Sequence, residues 1–279
     1  MLFLTKTTPS GGRRSSGLRL PALLLVTTLT SQAALTVTFD NPNDLTTYFT
    51  NASGTPIGLS STAGIGGSGA VDLTQIPSGD TQFLVLKTPF AGNLSNWNVS
   101  VYGYNGSAAA APVTFMGIST GPVRNFEGSP SLTGSDLAPF LALSTGEAFN
   151  GAISTYSYDG GPGFNDDRTF AMGTNLTAFT WYRHDLSVVY QGGNNYTLTA
   201  SIYEVDANGN NPVLRGTAGA QQHTNSAFAA DPSVYLFLGV YNGAALDNFS
   251  TDAVPEPSSL ALALGGCALA FRRKRAARR

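Results

Sequence analysis

The stretch "GISTG", Gly117 to Gly121, has the spacing that holds a nucleophilic serine at a sharp turn, and Asp185 and His223 follow Ser119 in an order an acyl-transfer triad accepts. That chemistry needs a strand before the serine and a helix after it, so that strain keeps the hydroxyl exposed. Pro122 follows here and no helical pattern does, so the segment reads as the turned end of a strand. "GIGGSG", Gly64 to Gly69, matches the spacing of a dinucleotide-binding loop. With no strand before it and no helix after it, nothing would hold a pyrophosphate, and a flexible loop is the better reading.

Carboxylates are the next candidates. Retaining sugar hydrolysis needs two of them about 5 Å apart. Between residues 34 and 252 the only glutamates are Glu127, Glu147 and Glu204, far apart in sequence. Asp159, Asn165, Asp166 and Asp167 crowd the stretch "YDGGPGFNDD". Oxygen-rich acidic loops of this kind suit calcium, and equally suit a solvated turn. Asp40 and Asp247 form a second possible calcium pair if the first and last strands lie side by side. "DANGNN", from Asp206, lacks the glycine position and closing glutamate of a calcium loop and reads as a turn. Trp97, Trp181 and Tyr182 could stack against a pyranose, although aromatic residues at alternating strand positions commonly serve the core. Nothing in spacing pairs His184 with His223 for a metal.

The elements that must position these groups are strands. "LTVTF" (Leu35 to Phe39), "WNVSVYGY" (Trp97 to Tyr104), "TAFTWYRHDLSVVY" (Thr177 to Tyr190) and "YTLTASIYEV" (Tyr196 to Val205) alternate with period two. "VYLFLGVY" (Val234 to Tyr241) is continuously apolar, as a central strand is. "GGNN" and "DANGNNP" separate successive strands as hairpin turns. No window carries a helical stripe, and Asn51 to Asp80 reads as a long loop or lid. The prediction is an all-β antiparallel sandwich or barrel.

Charge is segregated. Charged residues are 11% of the 279, and the formal net charge is −2. Residues 34–252 hold 5 basic and 16 acidic side chains, a net of −11. Such a body excludes nucleic acid as the natural partner, because phosphate neutralisation needs the opposite sign. It suits cations or neutral polymers. The single cysteine, Cys267, rules out an intrachain disulfide.

The two ends read as routing segments. Basic residues up to Arg19, the apolar "LPALLLVTTLT" and the small residues Ser31 and Ala33 have the layout of a signal peptide cleaved after Ala33, which implies the Sec translocon and signal peptidase as partners. Ser258 to Phe271 would span only about 21 Å as a helix. Bilayer hydrocarbon is about 30 Å thick. Flanking basic residues and the preceding segment could extend that short run.

"VPEPSSLALALGGCALAFRRKRAARR" resembles the PEP-CTERM sorting signal of exported bacterial proteins: the Pro255-Glu256-Pro257 motif, an apolar helix, then basic Arg272, Arg273, Lys274 and Arg275. The resemblance implies an exosortase-type processing enzyme as partner, transient residence in the inner membrane, then display at the cell surface or in an extracellular matrix with exopolysaccharide. "TWYRHDLSVVYQGGNNYTLTASIYEVDANGN" and "AALDNFS" (Ala244 to Ser250) resemble the concanavalin A-like lectin/glucanase jelly roll, with "VTFDNPNDL" as first strand beside the last. Laminarinase-like members carry a Glu-x-Asp-x-x-Glu strand that this sequence lacks, so the fold resemblance brings no hydrolytic activity with it. The domains expected are 1–33, signal; 34–252, sandwich; and 253–279, sorting segment. The function expected is a non-enzymatic surface or matrix protein that binds carbohydrate or serves structural and adhesive duty. The alternative is a glycan-active enzyme with unfamiliar carboxylates, Asp166 and Asp167 foremost.

Overall fold

A computed structural model describes residues 34–51, 57–72, 81–89, 96–106, 113–121, 138–146, 152–160, 166–171, 176–231, 233–241 and 245–252. The expected signal peptide and sorting segment lie outside these residues.

In chain order the strands are β1 (Leu35–Val37), β2 (Phe49–Asn51), β3 (Gly58–Ser60), β4 (Ala70–Asp72), β5 (Thr81–Leu86), β6 (Trp97–Asn105), β7 (Val113–Ser119) and β8 (Phe140–Gly146). They continue with β9 (Ala152–Tyr158), β10 (Asp166–Ala171), β11 (Thr180–Gly192), β12 (Asn195–Val205), β13 (Val213–Thr224), β14 (Tyr235–Tyr241) and β15 (Ala245–Thr251). Two five-residue helices, α1 (Asp44–Tyr48) and α2 (Ser226–Ala230), are too short to carry a stripe. Among the described residues no helix is long and apolar enough to cross a membrane.

The strands form the predicted antiparallel sandwich. One sheet runs β13-β12-β11-β6-β15-β4-β3, with β1 also paired to β15; the other runs β10-β9-β8-β7-β14-β5-β2. The first and last strands do meet, Leu35 opposite Thr251 and Val37 opposite Phe249. The continuously apolar strand is internal, β14 lying between β7 and β5.

Period-two alternation decides which side chains enter the core. On β6, Trp97, Val99 and Val101 point inward; on β11, Leu186 and Val188 do. They meet Met116, Ile118, Leu141, Leu143, Leu236 and Leu238 from the second sheet. Each such side chain, removed from water, contributes about 1.5–3 kcal/mol before chain entropy is set against it. The second sheet is buried on its other face too, where Phe83, Phe115, Phe140 and Phe237 lie in one cluster. Phe237 meets Phe83 and Phe140 edge-on, with centroids 5.9 and 6.0 Å apart. Asn225 ties α2 to this sheet: its side chain accepts the Phe228 amide at 2.8 Å and donates to the Tyr158 carbonyl at 2.8 Å. The first sheet is the one with an open face.

Three expectations change. The strand expected from Thr177 begins at Thr180, because Ala178 and Phe179 form a turn and Phe179 has φ 58°. The strand expected to reach Phe39 stops at Val37, and Phe39 turns left-handed at φ 59°. The stretch expected to be a strandless loop from Asn51 to Asp80 contributes β3 and β4 to the first sheet, with a 3-10 turn at Ile65–Gly67 between them.

Candidate functional site

Because the alternate residues of β6, β11 and β12 fill the core, the others line the open face of the first sheet in rungs. Tyr104, Trp181 and Val205 stand side by side, then Tyr102, Arg183 and Tyr203, then Ser100, Asp185 and Ser201, then Asn98, Ser187 and Thr199. From β15, Ala245 joins the first rung, Asp247 the second and Ser250 the third. The face therefore grades from aromatic to hydroxyl along the strands. The four rungs cover six residue steps of β11, about 20 Å at a strand's rise.

The contacts hold these groups in fixed orientations. The rings of Tyr104 and Trp181 lie 5.1 Å apart. The Arg183 guanidinium sits 4.5 Å over the Tyr203 ring and 3.1 Å from the Asp185 carboxylate. Ser100 donates to the other Asp185 oxygen at 2.8 Å. Asp252 accepts both the Asn98 amide and its side-chain amide, at 2.6 and 2.7 Å. A groove of about 430 Å³ runs over the hydroxyl end, lined by Ser100, Asp185, Ser187, Thr199, Ser201 and Tyr203 among others. Its lining offers a ladder of short donors and acceptors with two carboxylates, Asp185 held by Arg183 and Asp252 held by Asn98. That is a surface for polyhydroxyl ligands rather than for strongly charged ones.

Residues 64–69 bridge the face at its aromatic end. The buried Asp247 carboxylate accepts the Ile65 amide at 2.8 Å, the Ser68 hydroxyl at 3.0 Å and the Asn248 amide at 2.6 Å. Asp40 accepts the Gly69 amide at 2.8 Å. The Gly66 amide donates to the Ala207 carbonyl at 2.7 Å, tying the bridge to the β12–β13 hairpin. Ile65 packs in one cluster with Ala70, Trp181, Val205 and Ala245. Close approach explains the glycines: a Cβ at Gly64 would fall 2.2 Å from the Gly69 carbonyl, and one at Gly69 would fall 2.2 Å from that of Phe39. Asp247 is aimed by a bulge, where the β15–β6 register shifts and Asn248 takes φ 45°. Burial pushes its carboxyl above the usual range against the pull of its three hydrogen bonds. "GIGGSG" is thus a carboxylate-latched bridge, not the flexible loop expected.

The candidates separate accordingly. Trp97 is a core residue, 1% exposed, because it opens β6 on the inward side opposite Val188. Tyr182 is also inward, as the pleat requires of the neighbour of Trp181. Its hydroxyl accepts the Thr177 amide at 2.6 Å. Neither ring offers a face to a ligand, so the expected three-residue platform is not formed; Trp181 alone lies on the outward side, where packing with Ile65 of the bridge leaves it 7% exposed. Asp40 and Asp247 do converge on one loop: Asp40 accepts the Gly69 amide, and Asp247 accepts the Ile65 amide and the Ser68 hydroxyl. Asp159 is half-buried beyond β9, and Asp166 and Asp167 open β10 opposite Ser157 and Tyr156. Asn165, Pro255, Glu256, Pro257, Arg272, Arg273, Lys274 and Arg275 lie outside the described residues. Among the described residues no three His, Cys, Asp or Glu side chains are placed to hold a metal ion.

No triad assembles. Ser119 donates to the Gly121 carbonyl at 2.6 Å, Asp185 is held by Arg183 on the open face, and His223 sits 2.9 Å from the Thr155 hydroxyl in the interior. His184 is buried beneath Gly103, and burial pushes its pKa down to about 3. Sequence reasoning missed the hydroxyl rungs. Their signal was present in the small polar alternates of three strands already read as period-two.

No protein-family model and no curated protein matches the chain. Among solved structures, lectin II from Ulex europaeus aligns with a TM-score of 0.51 at 11% identity, over 80% of this chain and 98% of its own. A legume lectin-like domain from Entamoeba histolytica aligns at 0.47 and 9% identity, over 77% and 94%. Alginate lyase Aly36B aligns at 0.48 and 11% identity, over 80% and 98%. At these identities the likeness is one of fold: the sandwich is of the legume-lectin, concanavalin A-like type.

Proposed function

We propose that this chain is an exported protein whose sandwich binds a neutral glycan along the open face of its first sheet. The observation that carries the reading is the run of hydroxyl and amide rungs at Ser100, Asp185, Ser187, Thr199, Ser201 and Asn98, in register across three strands. Hydroxyls and amides at alternate strand positions present donors and acceptors at about 6.6 Å intervals. The lectin-type fold supports the ligand class, and the acidic body disfavours polyanions.

Routing rests on the sequence. The signal-like residues 1–33 support export through the Sec translocon. Pro255-Glu256-Pro257 with the apolar and basic tail supports exosortase-type processing and display at the cell surface or in a matrix. The body, residues 34–252, is the functional domain in this reading. Calcium, in this reading, takes the carboxylates around Asp159 or the pair Asp40 and Asp247.

The test is a glycan array probed with the full chain, with and without EDTA. Binding is expected in the wild type and lost in Ser201→Trp, which fills the groove. Array binding that survives Ser201→Trp unchanged overturns the groove. A signal abolished by EDTA supports calcium. Release of reducing ends that disappears in Asp166→Ala favours the enzymatic alternative.

A further inference from the structure

The other cleft on this face lies beyond the bridge. About 610 Å³ in volume, it is walled by Phe179, Trp181 and Tyr104 on one side and by Gly66, Gly67 and Asn208 on the other. None of the residues lining it carries a charge. Phe179 is 69% exposed, the one aromatic residue among the large exposed hydrophobics of the described residues. Its backbone has φ 58°, a region that a bulky side chain adopts only under constraint.

That constraint is built from the core side. The Thr177 amide donates to the Tyr182 hydroxyl at 2.6 Å, and Asn105 donates to the Thr177 carbonyl at 3.0 Å. The Phe179 amide donates to the Asn105 carbonyl. Two buried residues therefore pin a strained turn whose product is an aromatic ring held out in water. Across the cleft, Gly66 and Gly67 take φ 66° and 81°. The side chain of Asn208 reaches to 3.6 Å from where a Cβ on Gly66 would stand.

We infer that this cleft is a second saccharide subsite, in which a neutral pyranose stacks its C–H face on Phe179 while its hydroxyls meet Asn208 and Thr180. The inference rests on the glycan-binding reading for its ligand class only. A π face carries partial negative charge and attracts polarised C–H groups, and an amide and a hydroxyl supply directional partners for sugar hydroxyls. An uncharged lining selects a neutral sugar over a uronate. Tyr182, core-bound, is then a positioning residue for the stacking ring rather than a sugar contact.

The test titrates the full chain with neutral gluco- and manno-oligosaccharides, following the emission of Trp181, with Trp181→Phe as the spectroscopic control. Phe179→Ala is expected to weaken binding roughly five- to tenfold, and Phe179→Tyr to restore it. Phe179→Gly separates function from folding. Glycine adopts this φ freely, so its melting temperature is expected to equal or exceed the wild type's while binding falls. Binding unchanged in Phe179→Ala overturns the inference, as does a melting temperature that falls in Phe179→Gly together with binding. The two sites are separable. Loss in Ser201→Trp with retention in Phe179→Ala leaves the groove standing and removes the cleft. The reverse leaves the cleft and removes the groove. No binding of any oligosaccharide by the wild type removes both.

Discussion

The Asp247 carboxylate accepts the Ile65 amide at 2.8 Å across a sequence separation of 182 residues. The contact joins the last strand of the sandwich to the bridge that divides its open face. Asp247→Ala leaves the amides of Ile65 and Asn248 without their acceptor, while the Ser68 hydroxyl keeps the Ile65 carbonyl at 2.6 Å; a buried donor so orphaned costs about 1–3 kcal/mol. The expected result is a lower midpoint in urea and faster proteolysis within residues 61–69. A midpoint equal to the wild type's would mean that the bridge is held by its apolar contacts alone.

Acid stability should turn on His184. Burial lowers its folded pKa from 6.5 to about 3, so the unfolded chain binds the extra proton first as pH falls. The stability this group confers is complete above pH 6.5 and is lost toward pH 3, at about 1.4 kcal/mol per pH unit. Asp247 acts in the opposite sense. Its carboxyl is raised above 3.8, so its charged form opposes folding above the raised value and ceases to do so on protonation. Melting curves between pH 7 and pH 4 should show a slope shallower by about one proton in His184→Gln than in the wild type. Parallel slopes would contradict the assignment.

The glycines of the bridge divide by contact. Gly64→Ala and Gly69→Ala each drive a methyl to within 2.2 Å of a backbone carbonyl, so the bridge must move. Gly58→Ala, on β3, meets nothing within 4 Å. Calorimetry should find the first two destabilised by roughly 2 kcal/mol or more and the third within about 0.5 kcal/mol of the wild type.

The two tryptophans should also part. Trp97→Ala removes a fully buried ring from between the sheets, an expected loss of about 3–5 kcal/mol. Its folded fraction should bind glycan as the wild type does. Trp181→Ala leaves that core intact but opens the cluster under the bridge, where the ring is 7% exposed, so it should lose comparable stability and weaken oligosaccharide binding as well. Equal destabilisation with unchanged binding in both would undo the assignment of an inner and an outer tryptophan.

Much of the architecture was legible because period two maps directly onto inside and outside. The alternation of "WNVSVYGY" marked a strand with an inner and an outer face, and continuous apolarity marked an internal strand, as β14 is. The pairing of first and last strands followed from the jelly-roll resemblance, and Val37 does stand opposite Phe249. What alternation leaves open is phase. Trp97 and Trp181 both sit on period-two strands, and only the register with β11 and β15 says that one points in and the other out. The bridge was illegible for a different reason. Residues 64–69 have no periodicity, and their order comes from two carboxylates supplied by distant chain. The αL turn at Phe179 was hidden because nothing local demands it; Tyr182 and Asn105 impose it from the interior.

Leu35 stands opposite Thr251, so the polypeptide enters and leaves the sandwich at adjacent positions, about 5 Å apart. Tension applied beyond residue 252 passes into β15, which β1 grips along one edge and β6 along the other at Ser250 and Thr251. The load is shared between two neighbours, the short β1 and the long β6. A body tethered by this end would bear pulling without first surrendering its ligand face.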